Sequence, residues 1–540
     1  MSLVDRMLRD PNAIWVREMR QSARLARTPW VLFGLTLALS LLMCTIGGLA
    51  ASSETSPASI GEALFQVFFS LSYLVVVVVG PAVAANAVAS EREGRTWEAV
   101  QLTGMRPEQI ARGKFLAAYT TMALYLVVLA PVGALSFLFG GVTATEVVVA
   151  FAFLFLLSGL AVAFGLAVSS LMSSLRGAIV VTLMLAIATG PVLYFVGGFG
   201  ASFAVHRVFA DVPEAFPVWL PLAYSRARFG LEYVLLLVAL PLLVIVTPGW
   251  FFYESTVANM SGEADDRSTG LKRWFLFCAP LVALGTAVPP AVAGDDDARR
   301  WLSVAGLGAL SLFLSFCAFL FAAEPAGPSR RVRVHWDRHD AGALRRFLGP
   351  GLPGAAVLVS TLGVLGLALA AAADAALVHL FGAPGVRLST FEELFFFTLY
   401  ATGFLLFLTG LLSWLRSRGQ SPWVARMVAA AILFLVSAGP WVVAAIGGAL
   451  ARGHAETWLA LGAPSPFFAL YVVGWLDTTP SARSSLPVPE IGAACSLGWA
   501  LLGIVLTSAA AHRCRRGVRD LEEAACAADE ALRAEEGPLP

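Results

Sequence analysis

Apolar runs of about twenty residues recur along the whole chain and are separated by polar segments. A run of about this length crosses the ~30 Å hydrocarbon core of a bilayer as an α-helix. We interpret twelve runs as membrane spans, near residues 30–50, 64–89, 115–138, 147–171, 178–196, 230–250, 274–293, 301–323, 354–379, 393–415, 424–450 and 491–511. The pattern predicts an all-α polytopic integral membrane protein with about twelve transmembrane helices in two six-span halves.

The composition agrees with a membrane protein and excludes an ordinary soluble one. Charged residues make up 14% of the 540 positions and hydrophobic residues 58%, whereas soluble domains carry about 25% charged residues. The net charge of +1 gives no basic excess that would indicate a nucleic-acid partner. The six cysteines show no CxxC pair, so we expect neither structural disulfides nor a metal.

The basic residues determine the predicted orientation, because loops on the cytoplasmic side carry an excess of them. With both termini in the cytoplasm, 29 of the 37 lysines and arginines lie in cytoplasmic segments and 8 in outer ones. Lysine occurs only at Lys114 and Lys272, and this arginine bias is typical of a GC-rich bacterial genome. We therefore expect a multi-pass protein of the bacterial cytoplasmic membrane with both termini inside.

Residues 1–29 precede the first span, and we expect them not to form a signal peptide, because the apolar run begins only at Trp30. Asp10 can cap a helix that begins at Pro11. Spacings of 3, 4 and 3 place four arginines on one face of that helix, namely Arg17, Arg20, Arg24 and Arg27. This interfacial basic face predicts a helix lying against lipid headgroups or a partner. A simple positively charged anchor is the alternative.

The stretch Ser90 to Lys114 lies between two apolar runs and has the pattern of a helix-turn-helix. Thr96 is a suitable N-cap, and Glu98 lies in the first turn, where the helix dipole favours an anion. Gly104 ends this short helix and Pro107 suits the first position of the next one. Apolar contact surface comes from Trp97, Val100 and Leu102. Such a segment predicts a loop that is held by a partner.

These residues resemble a motif of a known family. The loop after the second span in ABC transporter permeases of the type-2 export family has the pattern Glu-Arg-Glu, Gly-Thr, Glu, a leucine pair, a Thr-Pro turn and Gly-Lys. The matching residues are Glu91-Arg92-Glu93, Gly94, Thr96, Glu98, Ile110 and Gly113-Lys114. The match departs from the pattern where Arg95 precedes Thr96 and where Val100-Gln101-Leu102 replaces the leucine pair.

The resemblance implies the permease subunit of an ATP-binding-cassette exporter, whose helix Thr96 to Thr103 sits in a groove of a separate ATPase subunit. ATPase coupling is then assigned to Glu91, Arg92, Glu93, Thr96, Trp97, Glu98 and Leu102. ATP and Mg²⁺ belong to the partner, because this chain has no Gly-Lys-Ser/Thr phosphate loop, and we expect no enzyme activity and no cofactor here. One ATPase dimer needs two such helices, so the resemblance also implies a homodimer or a heterodimer with a related permease.

The predicted organisation has five parts: an interfacial helix at 1–29, a permease-like domain at 30–250, a cytoplasmic linker at 251–273, a second six-span domain at 274–511 and a charged tail at 512–540. Within the first domain, the aromatic outer segment 197–229 is re-entrant by the resemblance, or else a surface loop with interfacial aromatics. Between spans eight and nine, the loop Glu324 to Gly351 is rich in proline and arginine and shows no counterpart of Ser90 to Lys114.

Polar residues inside predicted spans are candidate pathway residues, and we select Asn86 and Asp374. His335 and His339 are four residues apart, but a solvated loop is favoured over a zinc site there. Proton-coupled transporters bury several carboxylates or histidines at mid-membrane, and the sequence places none there. The alternatives to a permease are a non-transporting scaffold of a cell-envelope assembly and, less favoured, a secondary transporter.

Overall fold

The structure is a computed structural model of the chain that describes residues 11–24, 27–52, 56–212, 214, 216–262, 264–382, 384–450, 458–477 and 486–536. These residues form helices and turns, and no strand occurs among them. Twelve of the described helices are long and apolar enough to cross a membrane. The prediction of an all-α chain with twelve spans is therefore confirmed.

The chain divides into two compact units, Met1–Gly262 and Glu263–Pro540. Unit 1 contains six of the twelve candidate spans. Its described helices are Ala13–Arg24, Arg27–Ala51, Pro57–Glu93, Trp97–Leu102, Pro107–Leu138, Ala144–Leu171, Leu175–Leu193, Ala201–Val208, Trp219–Arg226, Leu231–Tyr233 and Leu240–Met260, with π-helical turns at Tyr194–Gly200 and Val234–Ala239.

Unit 2 contains the other six candidate spans. Its described helices are Thr269–Thr286, Val288–Val292, Asp296–Phe321, Arg330–Arg338, Ala343–Leu348, Leu352–Phe381, Pro384–Ser417, Pro422–Leu450, Phe468–Asp477 and Val488–Glu536, with a 3₁₀ turn at Ala460–Gly462.

Several helices extend beyond the predicted span boundaries, among them the sixth and the last spans. The sixth span continues as a helix to Met260, so only a short segment separates it from the helix that begins at Thr269. The last span and the charged tail form one continuous helix, Val488–Glu536. Hydropathy marks where apolar residues stop, whereas a helix continues through polar residues that have helical propensity.

Close helix approach holds unit 1 together, as expected where lipid supplies no hydrophobic force between helices. Phe68 and Phe69 of the second span meet Phe151 of the fourth with ring centroids 5.1 to 6.1 Å apart. A Cβ added at Gly165 would lie 2.3 Å from the carbonyl oxygen of Pro81. Only glycine at that position lets the second and fourth spans pack this closely.

The segment 197–229 is fixed to unit 1 by polar contacts. Gln66 exchanges hydrogen bonds with both backbone groups of Val218, at 3.0 and 3.3 Å. Arg226 forms ion pairs with Glu62 at 2.8 Å and with Glu146 at 3.3 Å. Burial of Arg226 opposes its charge, but these two carboxylates outweigh burial and raise the pKa of Arg226. The re-entrant arrangement of this segment remains a prediction.

Candidate functional site

The second span of unit 1 continues beyond its apolar part and ends at Glu93, so the Glu91–Glu93 motif forms its last turn. A tight turn follows, in which Arg95 has a positive φ of 55°. The backbone N–H of Thr96 donates to the carbonyl of Glu91 at 2.9 Å. The Thr96 hydroxyl also donates to this carbonyl, at 3.3 Å, instead of capping the next helix. Thr96 therefore occupies the predicted N-cap position, but its side chain makes no cap hydrogen bond.

The loop helix, Trp97–Leu102, has one side against unit 1 and the other exposed. Val100 is buried and Trp97 is half-buried against the same apolar core. The Arg92 guanidinium lies over the Trp97 ring, 5.7 Å from its centroid. Leu102 is 86% exposed and Glu98 is exposed beside it. An apolar tip on an anchored helix is a surface suited to a protein partner.

The arginine and the second glutamate of the motif connect the loop to other spans. Arg92 donates to the carbonyl of Asn259, at the end of the sixth span, at 3.3 Å. The Glu93 carboxylate accepts from the backbone N–H of Leu175, at the start of the fifth span, at 2.6 Å. A carboxylate is favoured there because it satisfies a free N–H at the positive end of a helix.

An ion cluster joins Glu91 to the third span and to the N-terminal helix, Ala13–Arg24. Lys114 is buried and pairs with Glu91 at 2.9 Å and with Glu18 at 3.2 Å. Its ammonium also donates to the carbonyl of Ala87 at 2.6 Å. Arg17 pairs with both Glu91 and Glu18. We name these four residues the ion lock.

For Arg17 and Glu18, the two ion-lock residues of the N-terminal helix, charge pairing affects the pKa more than burial does. Burial disfavours ionised Glu18, but Lys114 and Arg17 more than offset it and lower the pKa of Glu18. Burial likewise opposes the charge of Arg17, yet Glu18 and Glu91 raise its pKa. Both side chains therefore stay ionised at neutral pH.

The N-terminal helix packs onto the third span, which begins at Pro107. Asn12 caps the helix, accepting from the N–H of Ile14 at 3.0 Å, and its amide donates to the carbonyl of Gln109 at 2.8 Å. Ile14 is buried, and the Trp15 indole donates to Thr120 at 3.3 Å. The predicted cap, Asp10, lies outside the described residues.

The predicted basic face is divided in the structure. Arg17 joins the ion lock, whereas Arg20 and Arg24 are exposed to the surroundings. The side chain of Arg27 lies outside the described residues. The two exposed arginines remain available to headgroups or a partner, whereas Arg17 contacts Glu91 of the loop motif.

The two predicted pathway residues do not form one site. Asn86 is half-buried near the end of the second span of unit 1, close to the ion lock in sequence. Asp374 is buried in unit 2, where Ser303 is its polar neighbour and its Oδ1 has no hydrogen-bond partner in the described part of the chain.

Sequence reasoning missed the buried ion pairs of unit 2. Arg300 pairs with buried Glu393 at 2.6 Å and with Asp477 at 2.5 Å. Lys272 is fully buried and pairs with Glu324 at 3.4 Å. Lys272, Arg300 and Glu324 lie just outside the predicted spans 274–293 and 301–323, and only tertiary packing shows that their side chains are buried. The rarity of lysine was the one signal that could have singled out Lys272.

The comparison with protein families was informative for unit 1. The sequence profile of a protein family described as 'ABC-2 family transporter protein' matches residues 51–223. The chain carries an ABC-2 family transporter domain. This domain includes the second to fifth spans and the loop helix, so the family resemblance read from the loop is confirmed. A search of curated proteins found no match to the chain.

The ABC-2 domain and the twelve apolar helices among the described residues together support a membrane transporter permease. The domain contains Glu91 and Lys114 of the ion lock, whereas Arg17 and Glu18 precede it. Unit 2 lies entirely beyond the matched residues.

Proposed function

We propose that this ABC-2 permease is the membrane subunit of an ATP-driven exporter in the bacterial cytoplasmic membrane. A separate ATP-binding-cassette ATPase would supply the energy and hold ATP and Mg²⁺. The ATPase would bind the loop helix on the cytoplasmic side, where the positive-inside rule predicts this loop to lie.

The observation that carries the proposal is the loop helix itself, anchored at its base and exposed at its tip. Trp97 and Val100 fix the helix to unit 1, while Leu102 and Glu98 face outward. A partner that moves the exposed tip would therefore move the whole loop helix together with the part of unit 1 to which it is anchored. The anchored base supports a role in transmission, because a flexible connector would absorb such a movement.

The contacts of the loop indicate where the movement would go. Glu91 and Lys114 connect the second and third spans, and Glu93 connects to the start of the fifth. Arg92 reaches the end of the sixth span. Movement of the loop helix would shift this set of spans together and change the populations of inward-open and outward-open states. The substrate path would be apolar and formed largely by spans one, two and five.

The proposal is tested by changing the exposed tip and measuring how much ATPase the chain retains. Leu102→Asp places a charge on the apolar tip and should weaken ATPase binding on the order of tenfold, about 1.4 kcal/mol. The affinity-tagged chain is purified from its native membranes, and the ATPase is identified by its phosphate-loop peptide and by ATP hydrolysis in the eluate.

The matched control is Leu461→Asp, which charges an exposed leucine in unit 2. It should retain ATPase like the unmodified chain. If no ATPase accompanies the unmodified chain in native membranes, the proposal is wrong and a scaffold role gains support. If the Leu102→Asp variant retains as much ATPase as the unmodified chain, the loop helix is not the docking element.

A further inference from the structure

We propose that unit 2 carries a second docking segment for an ATPase subunit, in the loop between its second and third spans, so that one chain binds two ATPase subunits. This inference rests on the proposed function. It replaces the expectation that a second permease chain must supply the second coupling helix.

The first observation concerns the chain's two lysines, Lys114 and Lys272. Both are buried, with 1% and 0% exposure, although lysine is almost never fully buried unless it is paired. Each pairs with a glutamate near the end of its unit's second span: Glu91 lies in the last turn of that helix in unit 1, and Glu324 follows shortly after the helix ends at Phe321 in unit 2. Each unit thus has a buried lysine–glutamate pair beside the same inter-span loop.

The hydrogen bonds of the two lysines extend the similarity. Lys114 donates to the carbonyl of Ala87 at 2.6 Å, and Lys272 donates to the carbonyl of Gly349 at 2.6 Å. The Glu324 carboxylate also accepts from the N–H of Gly351 at 3.0 Å, which fixes the far end of the loop. The lysines come from different elements, the start of the third span in unit 1 and the start of the first in unit 2.

The second observation is a short helix in the unit 2 loop, Arg330–Arg338, which we name the arginine helix. Ser329 caps it by accepting from the N–H of Val332 at 3.2 Å. Val332 and Trp336 are buried on its inner side, while Val334 and Arg338 are exposed. The loop helix of unit 1 likewise turns a valine and a tryptophan inward and keeps an apolar residue outside. The comparison of the two inter-span loops by sequence did not detect this counterpart, because the many arginines give the segment the composition of a solvated loop.

The arginine helix is also connected to a membrane span. Arg333 forms an ion pair with Glu522, on the continuous helix Val488–Glu536 that includes the last span. Arg331 pairs with Asp265 at 2.9 Å, and the Ser329 hydroxyl donates to the carbonyl of Ala264. A partner that moves the arginine helix would therefore pull on both ends of unit 2's chain.

The charge of the unit 2 loop indicates what kind of surface its partner presents. From Arg330 to Leu348 the loop carries six arginines against two aspartates, so it fits an acidic face. The exposed tip of the loop helix is apolar at Leu102 and acidic at Glu98. The two segments therefore fit different surfaces, which indicates two non-identical ATPase subunits or two differently used faces of one subunit type. Anionic lipid is the competing occupant.

Site-specific photocrosslinking tests the inference in native membranes. The photoreactive residue p-benzoylphenylalanine replaces Leu102 in one variant and Val334 in another, and replaces Leu461 in a control. The inference predicts a crosslink to a polypeptide with a phosphate-loop peptide from positions 102 and 334, and none from position 461.

The outcomes separate this inference from the proposed function. A crosslink to the ATPase from position 102 but only to lipid, or to nothing, from position 334 overturns the second docking segment and leaves the proposed function standing. No ATPase crosslink from either position overturns both.

Native mass spectrometry of the complex measures the number of ATPase subunits directly. The inference predicts two per chain, falling to one for Arg338→Glu combined with Arg345→Glu. Arg515→Glu combined with Arg516→Glu reverses two exposed charges of the tail and should retain two. A single ATPase per unmodified chain, in a complex containing two chains, would overturn the inference.

Discussion

At the scale of single residues, the ion lock determines how the loop is held. The motif in the sequence pointed to Glu91 and Lys114, because both belong to the resembling pattern. It gave no sign of Glu18, which lies 96 positions from Lys114 in the chain. Such a contact depends on the packing of the N-terminal helix, and a local pattern carries no information about it. Arg17 was assigned to lipid or a partner for the same reason.

Removing the lysine should destabilise unit 1. Lys114→Met removes the buried cation and leaves only the partly exposed Arg17 to pair with Glu91 and Glu18, and loss of one member of a buried pair costs about 3 kcal/mol. We expect a lower thermal unfolding midpoint for the purified chain. Arg112→Met, an exposed position on the same helix, should change stability by less than about 0.5 kcal/mol. Equal effects of the two substitutions on the unfolding midpoint would contradict a stabilising role of the ion lock.

Acid should release the N-terminal helix. The lowered pKa of Glu18 means that its ionised form stabilises the fold. This contribution is complete above the ordinary glutamate pKa of about 4.3 and is lost as pH falls through the lower folded pKa. A spin label at exposed position 20 should become more mobile as pH falls below about 4. Glu18→Gln should remove the part of the transition that depends on this carboxyl.

At the scale of elements, hydropathy located the spans but not the ends of the helices. The second span was predicted to end near residue 89, and the helix continues through Ser90 to Glu93. The N-terminal helix was predicted from its arginine spacing, yet Asn12 caps it and Ile14 and Trp15 pack it. Caps and ends depend on local hydrogen bonds that periodicity does not reveal.

A glycine provides a test of the packing between elements. Gly113→Ala would raise helix propensity by about 1 kcal/mol in isolation. Its Cβ, however, would lie 2.4 Å from the Asn12 side-chain oxygen and 2.8 Å from the Cβ of Ile14. We therefore expect release of the N-terminal helix, seen as hydrogen exchange about tenfold faster in residues 13–24. Gly159→Ala, whose nearest neighbour is 3.7 Å away, should leave this exchange unchanged.

At the scale of the whole molecule, the number of spans was predictable because a bilayer demands long apolar helices with internally satisfied backbones. The two compact units contain six candidate spans each. The second short helix was not predicted, because Arg330 to Arg338 has the composition of a solvated loop and only the burial of Val332 and Trp336 reveals its apolar side. The orientation of the chain still rests on its basic residues.

Cysteine labelling tests that orientation. Cys526 is exposed on the tail and is predicted to be cytoplasmic. In a variant with no other cysteine, a membrane-impermeant maleimide should label it only after intact cells are permeabilised. A second variant, with Leu461→Cys as its only cysteine, should be labelled from outside. Labelling of Cys526 in intact cells would invert the topology and place the loop helix away from any cytoplasmic ATPase.

The central claim is that the loop helix transmits ATP hydrolysis to the spans, and the most direct test is the ATPase activity of the co-purified complex in lipid. The comparison is between the unmodified chain and Trp97→Ala combined with Glu98→Arg. Loss of the anchoring indole and reversal of the exposed charge should lower hydrolysis by the complex on the order of tenfold, to the level of the ATPase alone. Unchanged activity in the double variant would contradict the account.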